Sequence, residues 1–457
     1  MESLLTDTAT RADRYLDGLK ARAVIPSAQA LGLLDRLGGP LPESGEDPSA
    51  VIAQLDEIGS PGTVATAGGR YFGFVIGSGI PAAVAANWLA TAWNQNSALE
   101  VMSPAGVRLE SVALEWVRDL LGLPAGARGA FVTGDTLANF TGLAAARHAV
   151  LEKAGWNVEL HGLFGAPPIT VVVGEEVHVS VLKAFSLLGL GRDRVLRVPT
   201  DEQGRIRADA LPPLRGPAIV CVQSGNVNTG SFDPAHEICE RAHASGAWVH
   251  VDGAFGLWAN AAPKRAHLLA GANEADSWAL DGHKWLNVPY DSGMVFVRDP
   301  VHLRAAMSDA PAAYLSSAGQ ADPMNYTPEM SRRARGVDTW AALRHLGRSG
   351  VADLVERCCR HATRFADILR SGGVRILNDV VLNQVLAAFG SDEETRRVID
   401  AVQRDGTCWC GGTVWHGITA MRISVSSWAT TDADVDRSAR AILRIANRSG
   451  SATSTPH

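Results

Sequence analysis

The stretch AWVHVDGA at residues 247–254 decides the fold class of this chain. Apolar residues fill most positions before Asp252, as in a strand that is buried on both faces of a parallel sheet. Short strands that alternate with helices indicate βαβ units, and hence an α/β fold with a mainly parallel sheet. Further apolar runs stand at 169–173 and 219–222, and they alternate with helical patterns at 137–151, 178–188 and 234–245.

The domain organisation follows from length and local composition. A chain of 457 residues exceeds one ordinary core, so a large domain and a smaller one are expected. The predicted parts are an N-terminal helical segment at 1–60, a large domain at 61–310, a mobile loop and linker helix at 311–350, a small C-terminal α+β domain at 351–448 and a disordered tail at 449–457.

Composition excludes several classes of protein. Hydrophobic residues make up 46% and charged residues 20% of the chain, which is typical of a soluble globular protein. A net charge of −6 argues against a nucleic-acid partner. The six cysteines lack the spacing of a disulfide framework or a zinc site, and the N-terminus lacks a secretory signal. We therefore expect a reduced cytoplasmic enzyme without a bound metal.

One uncharged segment could be mistaken for a membrane span. It lies between Arg70 and Glu100. Its glycines, asparagines and Pro81 favour a buried loop and helix instead, so no membrane association is predicted.

Polar residues follow the predicted strands at the sheet edge where ligands of α/β proteins bind. Asp252 ends one strand; a buried carboxylate there needs a cationic partner, although such an Asp can also cap a turn. Lys284 follows the apolar run at 278–280; desolvation lowers the pKa of a lysine, as an imine-forming amine requires, although a lysine can also extend to the surface. The turn at 134–136 offers backbone N–H groups to a phosphate, which alone is a weak signal.

The order of these motifs resembles the fold-type I pyridoxal 5′-phosphate (PLP) enzymes, and more narrowly the group II PLP-dependent amino acid decarboxylases. The resemblance implies a mainly parallel seven-stranded sheet flanked by helices, with a smaller C-terminal α+β domain. The motifs that carry it are Tyr71-Phe72-Gly73, Ser103-Pro104-Ala105, Gly134-Asp135-Thr136, His178-Val179-Ser180, His250-Val251-Asp252-Gly253-Ala254, Asp281-Gly282-His283-Lys284-Trp285 and Ser331-Arg332-Arg333.

The resemblance also implies a role for each residue of the site. Lys284 holds PLP as a Schiff base, and Asp252 pairs with the pyridine nitrogen, which keeps the ring an electron sink. His178 stacks on the ring near the scissile carboxylate. The remaining cofactor-binding residues are Gly134, Asp135 and Thr136 at the phosphate, Ala254 against the ring, and Asp281 and His283, of which His283 orients the cofactor or relays a proton.

The implied activity is that of a lyase of amino acid and carboxylic acid metabolism. It decarboxylates an L-amino acid to the amine and CO₂, in a homodimer with shared active sites. The alternatives are an oxidative deaminase or aldehyde synthase, an aldolase-type lyase, an aminotransferase, a catalytically weak PLP-binding protein, and a non-enzymatic scaffold.

This sequence departs from the family at two places. Asp135 stands in a turn that normally holds small or neutral residues, and a carboxylate repels a phosphate; we therefore expect its side chain to turn away and cap the following helix. The family's proton-donating loop tyrosine aligns near Asp322 or Pro323. Tyr326 is the nearest candidate donor, with packing as its alternative role, and Tyr314 lies further back.

Substrate residues are the least defined part of the site. An aromatic group near the motif at residue 71 favours aromatic amino acids slightly and could equally belong to a dimer core. Arg422 is a candidate for the substrate carboxylate or for a structural ion pair. The candidate aromatic residues are Tyr71, Phe72, Phe74 and Trp93.

Overall fold

The computed structural model describes residues 2–308 and 322–451, and the chain divides into two compact units. The larger unit consists of Gly79–Arg360 and Asn378–Gln384. The smaller unit consists of Met1–Ser78, His361–Leu377 and Val385–His457. Residues 1–60, predicted as a segment of their own, are thus grouped with the C-terminal part of the chain.

The strands of both units are short and mostly buried. They are β1 (Tyr71–Phe72), β2 (Arg128–Val132), β3 (Thr170–Gly174), β4 (Leu196–Val198), β5 (Ala218–Gln223), β6 (Trp248–Asp252), β7 (Ser277–Asp281), β8 (Gly293–Val297), β9 (Arg375–Ile376), β10 (Gln384–Ala388), β11 (Trp409–Trp415) and β12 (Ile418–Ser424).

The helices range from single turns to a long segment that contains a kink. They are α1 (Glu2–Gly18), α2 (Ala28–Leu33), α3 (Pro48–Gln54), α4 (Ser60–Gly62), α5 (Pro81–Trp93), α6 (Pro104–Leu120), α7 (Asp135–Lys153), α8 (Val158–His161), α9 (Val179–Leu187), α10 (Ala235–Ala244), α11 (Pro300–Met307), α12 (Gly336–Ser371), α13 (Asp392–Asp405) and α14 (Asp432–Ser451).

The larger unit is built on a seven-stranded sheet in the order β2-β8-β7-β6-β5-β3-β4. Strand β8 runs antiparallel to β2 and β7, and the other neighbours are parallel. Strands β6, β7 and β8 are buried along their whole length, as their apolar sequences require. The predicted α/β class and mainly parallel sheet are confirmed.

Helix α7 packs against β6, β7 and β8, and its sequence permits that close contact. It is rich in alanine, and Gly142 faces His250 of β6. A Cβ atom at Gly142 would lie 2.9 Å from the imidazole Cε1 of His250, so a larger residue would force the helix away from the sheet. This packing fixes the first turn of α7 at the carboxyl ends of the strands.

The smaller unit contains a five-stranded sheet in the order β1-β11-β12-β10-β9. Its core includes Phe72, which is fully buried and meets the ring of Phe365 edge-on. The aromatic rings of Tyr71 and Phe74 stack on Trp409 with centroid distances of 5.1 and 5.4 Å.

Helix α12 confirms the helical pattern that begins at Gly336, but it is not straight. Gly347 adopts φ 60° and ψ 179°, which breaks the regular helix inside the segment. The predicted mobile loop is only partly described, because residues 309–321 fall outside the described residues. The end of the predicted disordered tail, residues 452–457, falls outside them too.

The uncharged segment before Glu100 contains α5, which is 13 residues long. No helix in the described part of the chain is both long and apolar enough for a membrane crossing.

A buried ion pair holds three separate parts of the larger unit together. The guanidinium of Arg332 has no exposed surface and donates to a Glu110 carboxylate oxygen at 3.0 Å. The same group donates to the carbonyl oxygens of Phe131 at 2.8 Å and Ser97 at 3.0 Å. Burial raises the pKa of Glu110, and Arg332 opposes that shift. The arginine therefore joins the segment before α12 to α6 and to the end of β2.

We predict that Arg332→Leu lowers the free energy of unfolding by about 3–5 kcal/mol, because it leaves the Glu110 carboxylate buried without its partner. Arg333→Leu is the matched control, since the Arg333 side chain is 41% exposed and its nearest carboxylates lie 3.6 Å or more away. Urea unfolding followed by circular dichroism measures both variants. Equal destabilisation by the two changes would contradict this account.

Candidate active site

The site lies where β2, β6 and β7 end, and the β-register explains how. Val132 of β2 and Asp281 of β7 both pair with Gly293, the first residue of β8. A Cβ atom at Gly293 would lie 2.4 Å from the Cα atom of Gly134, so only glycine lets the turn before α7 cross the start of β8. The turn at Gly134 therefore lies directly beside Asp281.

Lys284 forms an ion pair with Asp281 at this edge. Its Nζ atom lies 2.9 Å from Asp281 Oδ2, and its side chain is 18% exposed. Asp281 Oδ1 accepts the backbone N–H of Asp135 at 2.7 Å. One carboxylate thus fixes both the lysine and the first residue of α7.

The expected lowering of the Lys284 pKa is wrong for this structure. Burial does act to lower that pKa, but the carboxylates of Asp281 and Asp135 outweigh it and raise the pKa above its ordinary value. Lys284 is therefore an ammonium ion here, and a reaction at its nitrogen requires loss of a proton.

Asp252 ends β6 and is buried. Its Oδ1 atom accepts the N–H of Ala254 at 3.3 Å. Burial, with a contribution from nearby Asp135, raises the pKa of Asp252 well above its ordinary value, while Lys284 opposes the shift. A cationic ligand atom beside Asp252 would restore the ionised carboxylate.

Asp135 does not cap α7, and this expectation is corrected. It is the first residue of the helix, and the N-cap position belongs to Gly134, which has no side chain to cap with. The Oδ2 atom of Asp135 accepts hydrogen bonds from Asn139 at 2.9 Å and Ser180 at 3.1 Å, while its buried Oδ1 has no hydrogen-bond partner in the described part of the chain. Hydrogen bonds to the buried side chains of Asn139 and Ser180 thus direct this carboxylate toward the protein interior.

His178 precedes α9 as its N-cap residue and meets Asp135 through Ser180. Its Nδ1 atom lies 2.8 Å from Ser180 Oγ, and that hydroxyl donates to Asp135. Polar side-chain atoms of Asp135, His178 and Asp252 all lie within 4.8 Å of one another. The predicted ring-stacking residue therefore stands beside the predicted ring-nitrogen partner.

A buried hydrogen-bond chain behind the site was missed by the sequence analysis. His250 is fully buried, and burial lowers its pKa to about 3, so its ring is neutral. Its Nδ1 atom lies 2.7 Å from Ser277 Oγ, and its Nε2 atom lies 2.8 Å from Asn139 Oδ1. Because Asn139 donates to Asp135, the chain connects β6 and β7 to the carboxylate at the start of α7. The four-residue spacing of Asp135 and Asn139 on one helix was the sequence signal that could have predicted their contact.

His283 is neutral as well. Burial first, then the Lys284 charge, lowers its pKa to about 4. Its Nδ1 atom accepts the N–H of Ser292 at 3.1 Å, which leaves the proton on Nε2, 3.4 Å from Asp281 Oδ1. Tyr290, which the sequence analysis did not name, stacks on this ring with a centroid distance of 4.2 Å. A hydrogen-bond donor on His283 therefore faces the site.

Thr136 and Ala254 lie where the sequence analysis expects them. Thr136 is in the first turn of α7, where the N–H of Asp135 donates to Asp281 and those of Leu137 and Ala138 donate to the Gly134 carbonyl. Ala254 follows β6 and its carbonyl accepts the N–H of Asp281 at 2.9 Å. Together with Gly134 they place small residues around the charged ones.

Tyr326 packs inside its own chain, which favours its alternative role in packing over that of a loop tyrosine offered to the site of a neighbouring subunit. It is 7% exposed, belongs to the hydrophobic core, and lies under the guanidinium of Arg128 at 4.2 Å. Arg128 is the first residue of β2, whereas the site lies beyond the last one. Tyr314 falls outside the described residues.

The predicted substrate residues lie in different units. Trp93 ends α5 in the larger unit and is 44% exposed. Arg422 is in β12 of the smaller unit, where burial lowers its pKa. Phe72 is a core residue of that unit with no exposed surface, so a direct substrate contact by Phe72 is not supported.

Comparison with known proteins identifies the class of this site. The pyridoxal-dependent decarboxylase conserved domain matches residues 40–386. The protein is therefore a PLP-dependent carboxy-lyase. The chain belongs to the pyridoxal-dependent decarboxylase family, as its motifs predict.

Individual relatives agree with this membership. Aromatic-L-amino-acid decarboxylase of Bacillus atrophaeus is 28% identical over 353 residues, which cover 73% of this chain and 70% of the relative. Phenylacetaldehyde synthase of Petunia hybrida is 24% identical, over 89% and 86% of the two chains. The crystal structure of Oryza sativa TDC with PLP and tryptamine has the same fold, with a TM-score of 0.89, 22% identity and coverage of 98% and 97%.

The side chains of the site fit PLP. Three buried carboxylates, those of Asp135, Asp252 and Asp281, face one ammonium group, so the site lacks positive charge. Asp252 would hold the protonated pyridine nitrogen of PLP, and Lys284 would supply the amine for its aldehyde. Asp135 is unfavourable for PLP binding, because a phosphate at the first turn of α7 would lie near its carboxylate.

We predict that apoenzyme takes up PLP faster as the pH rises. Because the pKa of Lys284 is raised, the neutral amine increases about tenfold per pH unit at all pH values below that pKa. Asp281→Asn, which keeps an acceptor for the Asp135 N–H, should speed uptake at pH 7 by about tenfold or more. Stopped-flow absorbance of the bound cofactor measures the rate. A rate that is independent of pH and of this change would refute the ion-pair argument.

We also predict that Asp135→Asn tightens PLP binding by about tenfold, or about 1.4 kcal/mol, because it removes a charge that repels the phosphate. Equilibrium titration of apoenzyme measures the dissociation constant. Pyridoxal, which has no phosphate, is the matched control ligand and should gain much less. Weaker binding of both ligands would mean that Asp135 acts mainly by holding Ser180 and His178.

Proposed function

We propose that this enzyme converts an L-amino acid, preferably an aromatic one, to the corresponding amine and CO₂ with PLP bound to Lys284. The observation that carries the proposal is the convergence of Lys284, Asp252 and His178 at one sheet edge in a member of this family. When bound, PLP supplies the electron sink for the bond broken at the α-carbon.

Each residue has one task in this proposal. Asp252 holds the ring nitrogen protonated, because a buried carboxylate beside a cation is ionised. Lys284 would hold PLP through its side-chain amine, which must first lose its proton. Asp281 forms an ion pair with the Lys284 ammonium, at 2.9 Å, when that amine is not bound to the cofactor. Gly134 and Thr136 offer backbone N–H groups to the phosphate, and the Nε2–H of His283 faces the same region.

His178 is proposed to cover the ring face and to orient the scissile carboxylate. The N–H of Ser180 donates to His178 Nδ1 at 3.3 Å, and Ser180 Oγ lies 2.8 Å from the same nitrogen. With Nδ1 as an acceptor, the ring proton stands on Nε2, which can donate to a carboxylate oxygen. Asp135 is thus a positioning residue that acts through Ser180.

The proposed preference for aromatic substrates rests on the named relatives and on the candidate aromatic residues of this chain. The Bacillus relative is named for aromatic L-amino acids, and the rice structure holds tryptamine. The aromatic residues Tyr71, Phe74 and Trp93 are retained as candidate substrate contacts, together with Arg422.

We further propose a homodimer in the cytoplasm. Apolar side chains of α5 and of the segment that joins it to α6 are exposed in the single chain, and covering such side chains favours association. They are Trp88, Leu89, Trp93, Val101 and Met102. All six cysteines are free, which is typical of a reducing compartment.

A second candidate is an oxygen-dependent reaction that converts the amino acid, O₂ and water to an aldehyde, CO₂, ammonia and H₂O₂. Two observations favour it. The Petunia relative is an aldehyde synthase, and Tyr326 is packed away from the site as a proton donor. Asp322, at the aligned position of the family tyrosine, is buried and accepts the N–H of Glu100 at 2.8 Å.

The experiment incubates PLP-loaded enzyme with each common amino acid, with and without oxygen, and identifies the products by mass. We expect amine and CO₂ in equal amounts under both conditions, with the highest turnover for aromatic substrates. Lys284→Ala should abolish turnover and the borohydride-stable label on that residue, and Lys183→Ala is the matched lysine control. Aldehyde with peroxide, formed only with oxygen, would replace the first proposal by the second. A keto acid, or no product at all, would overturn both.

A further inference from the structure

A second cluster of potential ligands lies at the far end of α7. His148 and Glu152 are one helical turn apart on this helix, and His302 faces them from α11. His148 follows Asp135 by 13 positions, so it lies about 20 Å along the helix from the PLP site. One polar atom from each of the three side chains lies within 4.8 Å of the other two.

Two of the three distances within this cluster are close to those of a tetrahedral metal site. Glu152 Oε2 lies 3.5 Å from His148 Nε2 and 3.6 Å from His302 Nδ1. Ligands about 2.0–2.1 Å from a tetrahedral zinc ion are separated by about 3.3–3.4 Å. The third separation, between the two histidines, is at most 4.8 Å, so metal binding requires the cluster to close.

The ring nitrogens that face the cluster are available for an ion. Within the described residues, the buried atoms His148 Nε2 and His302 Nδ1 make no hydrogen bond, and they lie 3.5 and 3.6 Å from Glu152 Oε2. The His148 side chain is 8% exposed, so water can hydrogen-bond to it only to a small extent. Two nitrogens without a hydrogen bond that point toward one carboxylate are unusual in a packed interior, because a buried polar atom without a hydrogen bond is costly.

Glu159 supplies the outer support that metal-binding histidines commonly have. Its Oε2 atom lies 2.7 Å from His148 Nδ1. A proton on Nδ1 leaves the lone pair of Nε2 directed at the cluster, and the carboxylate makes the imidazole a stronger ligand. The hydrogen bond that Glu159 accepts also raises the pKa of His148.

We propose that His148, Glu152 and His302 bind a divalent transition-metal ion of the zinc type, with Glu159 as the supporting carboxylate. Two imidazole nitrogens and one carboxylate oxygen are suited to Zn²⁺ and Co²⁺, and a fourth position remains for water. The ion joins α11 to α7. The cysteine spacing predicts no metal site, and no spacing along the chain indicates that His302 approaches α7.

Trp248 provides a local reporter of the ion. Its indole ring meets the His302 ring edge-on, with a centroid distance of 5.8 Å. It is the first residue of β6, the strand that ends at Asp252. A paramagnetic ion bound to His302 quenches the fluorescence of this nearby indole.

The test titrates tag-free PLP-loaded enzyme, freed of metal by chelation, with Co²⁺. We expect one saturable site, the visible absorption of tetrahedral Co²⁺, and tryptophan quenching that is largely lost in Trp248→Phe. His302→Gln and Glu152→Gln change partly exposed side chains and should each weaken binding by tenfold or more. Glu159→Gln should weaken it by about 10–100-fold.

His236→Ala is the matched control, because His236 also pairs with a carboxylate, Glu274, at 2.8 Å but has no second histidine. It should bind Co²⁺ as the unchanged protein does, and cofactor absorbance should not change in any of these variants. Failure of Co²⁺ to bind overturns the proposal, as does binding that His302→Gln and Glu152→Gln leave unchanged. Because the readouts are binding and fluorescence, the result is independent of the decarboxylase activity.

Discussion

The ion pair between Lys284 and Asp281 is the interaction on which the site depends. Asp281 accepts both the lysine and the first N–H of α7, so it fixes the reactive amine relative to the phosphate turn. Asp135 and Asp252 add two further buried carboxylates and leave the cluster short of positive charge. That deficit makes the site receptive to a protonated heterocycle and keeps the amine protonated until one binds.

Helix α7 connects the cofactor site to more distant parts of the larger unit. Its first turn faces the cofactor site, and its middle is held to β6 by the Asn139–His250 hydrogen bond and by the close approach at Gly142. Its last turns carry His148, which faces α11. Because one rigid helix spans the distance, the position of the phosphate turn depends on packing far from it.

The main elements of the fold and of the chemistry were predictable from local sequence. Short apolar runs that end in Asp252 or Asp281 are recognisable as buried strands, and the order of the motifs identifies the family. Three details were not predictable. The raised pKa of Lys284, the hydrogen-bond partners of Asp135 and the core position of Tyr326 each depend on contacts that the sequence does not report.

The sequence by itself determined the α/β class, the family and the residues available for PLP chemistry, because these depend on residue type and order along the chain. Only the tertiary structure decided which charged groups face one another. Electrostatic energy and desolvation depend on distance and burial, and no spacing along the chain reports those quantities. The approach of His302 to His148 shows the same principle. The two residues are 154 positions apart in sequence, and the packing of α11 against α7 brings them together.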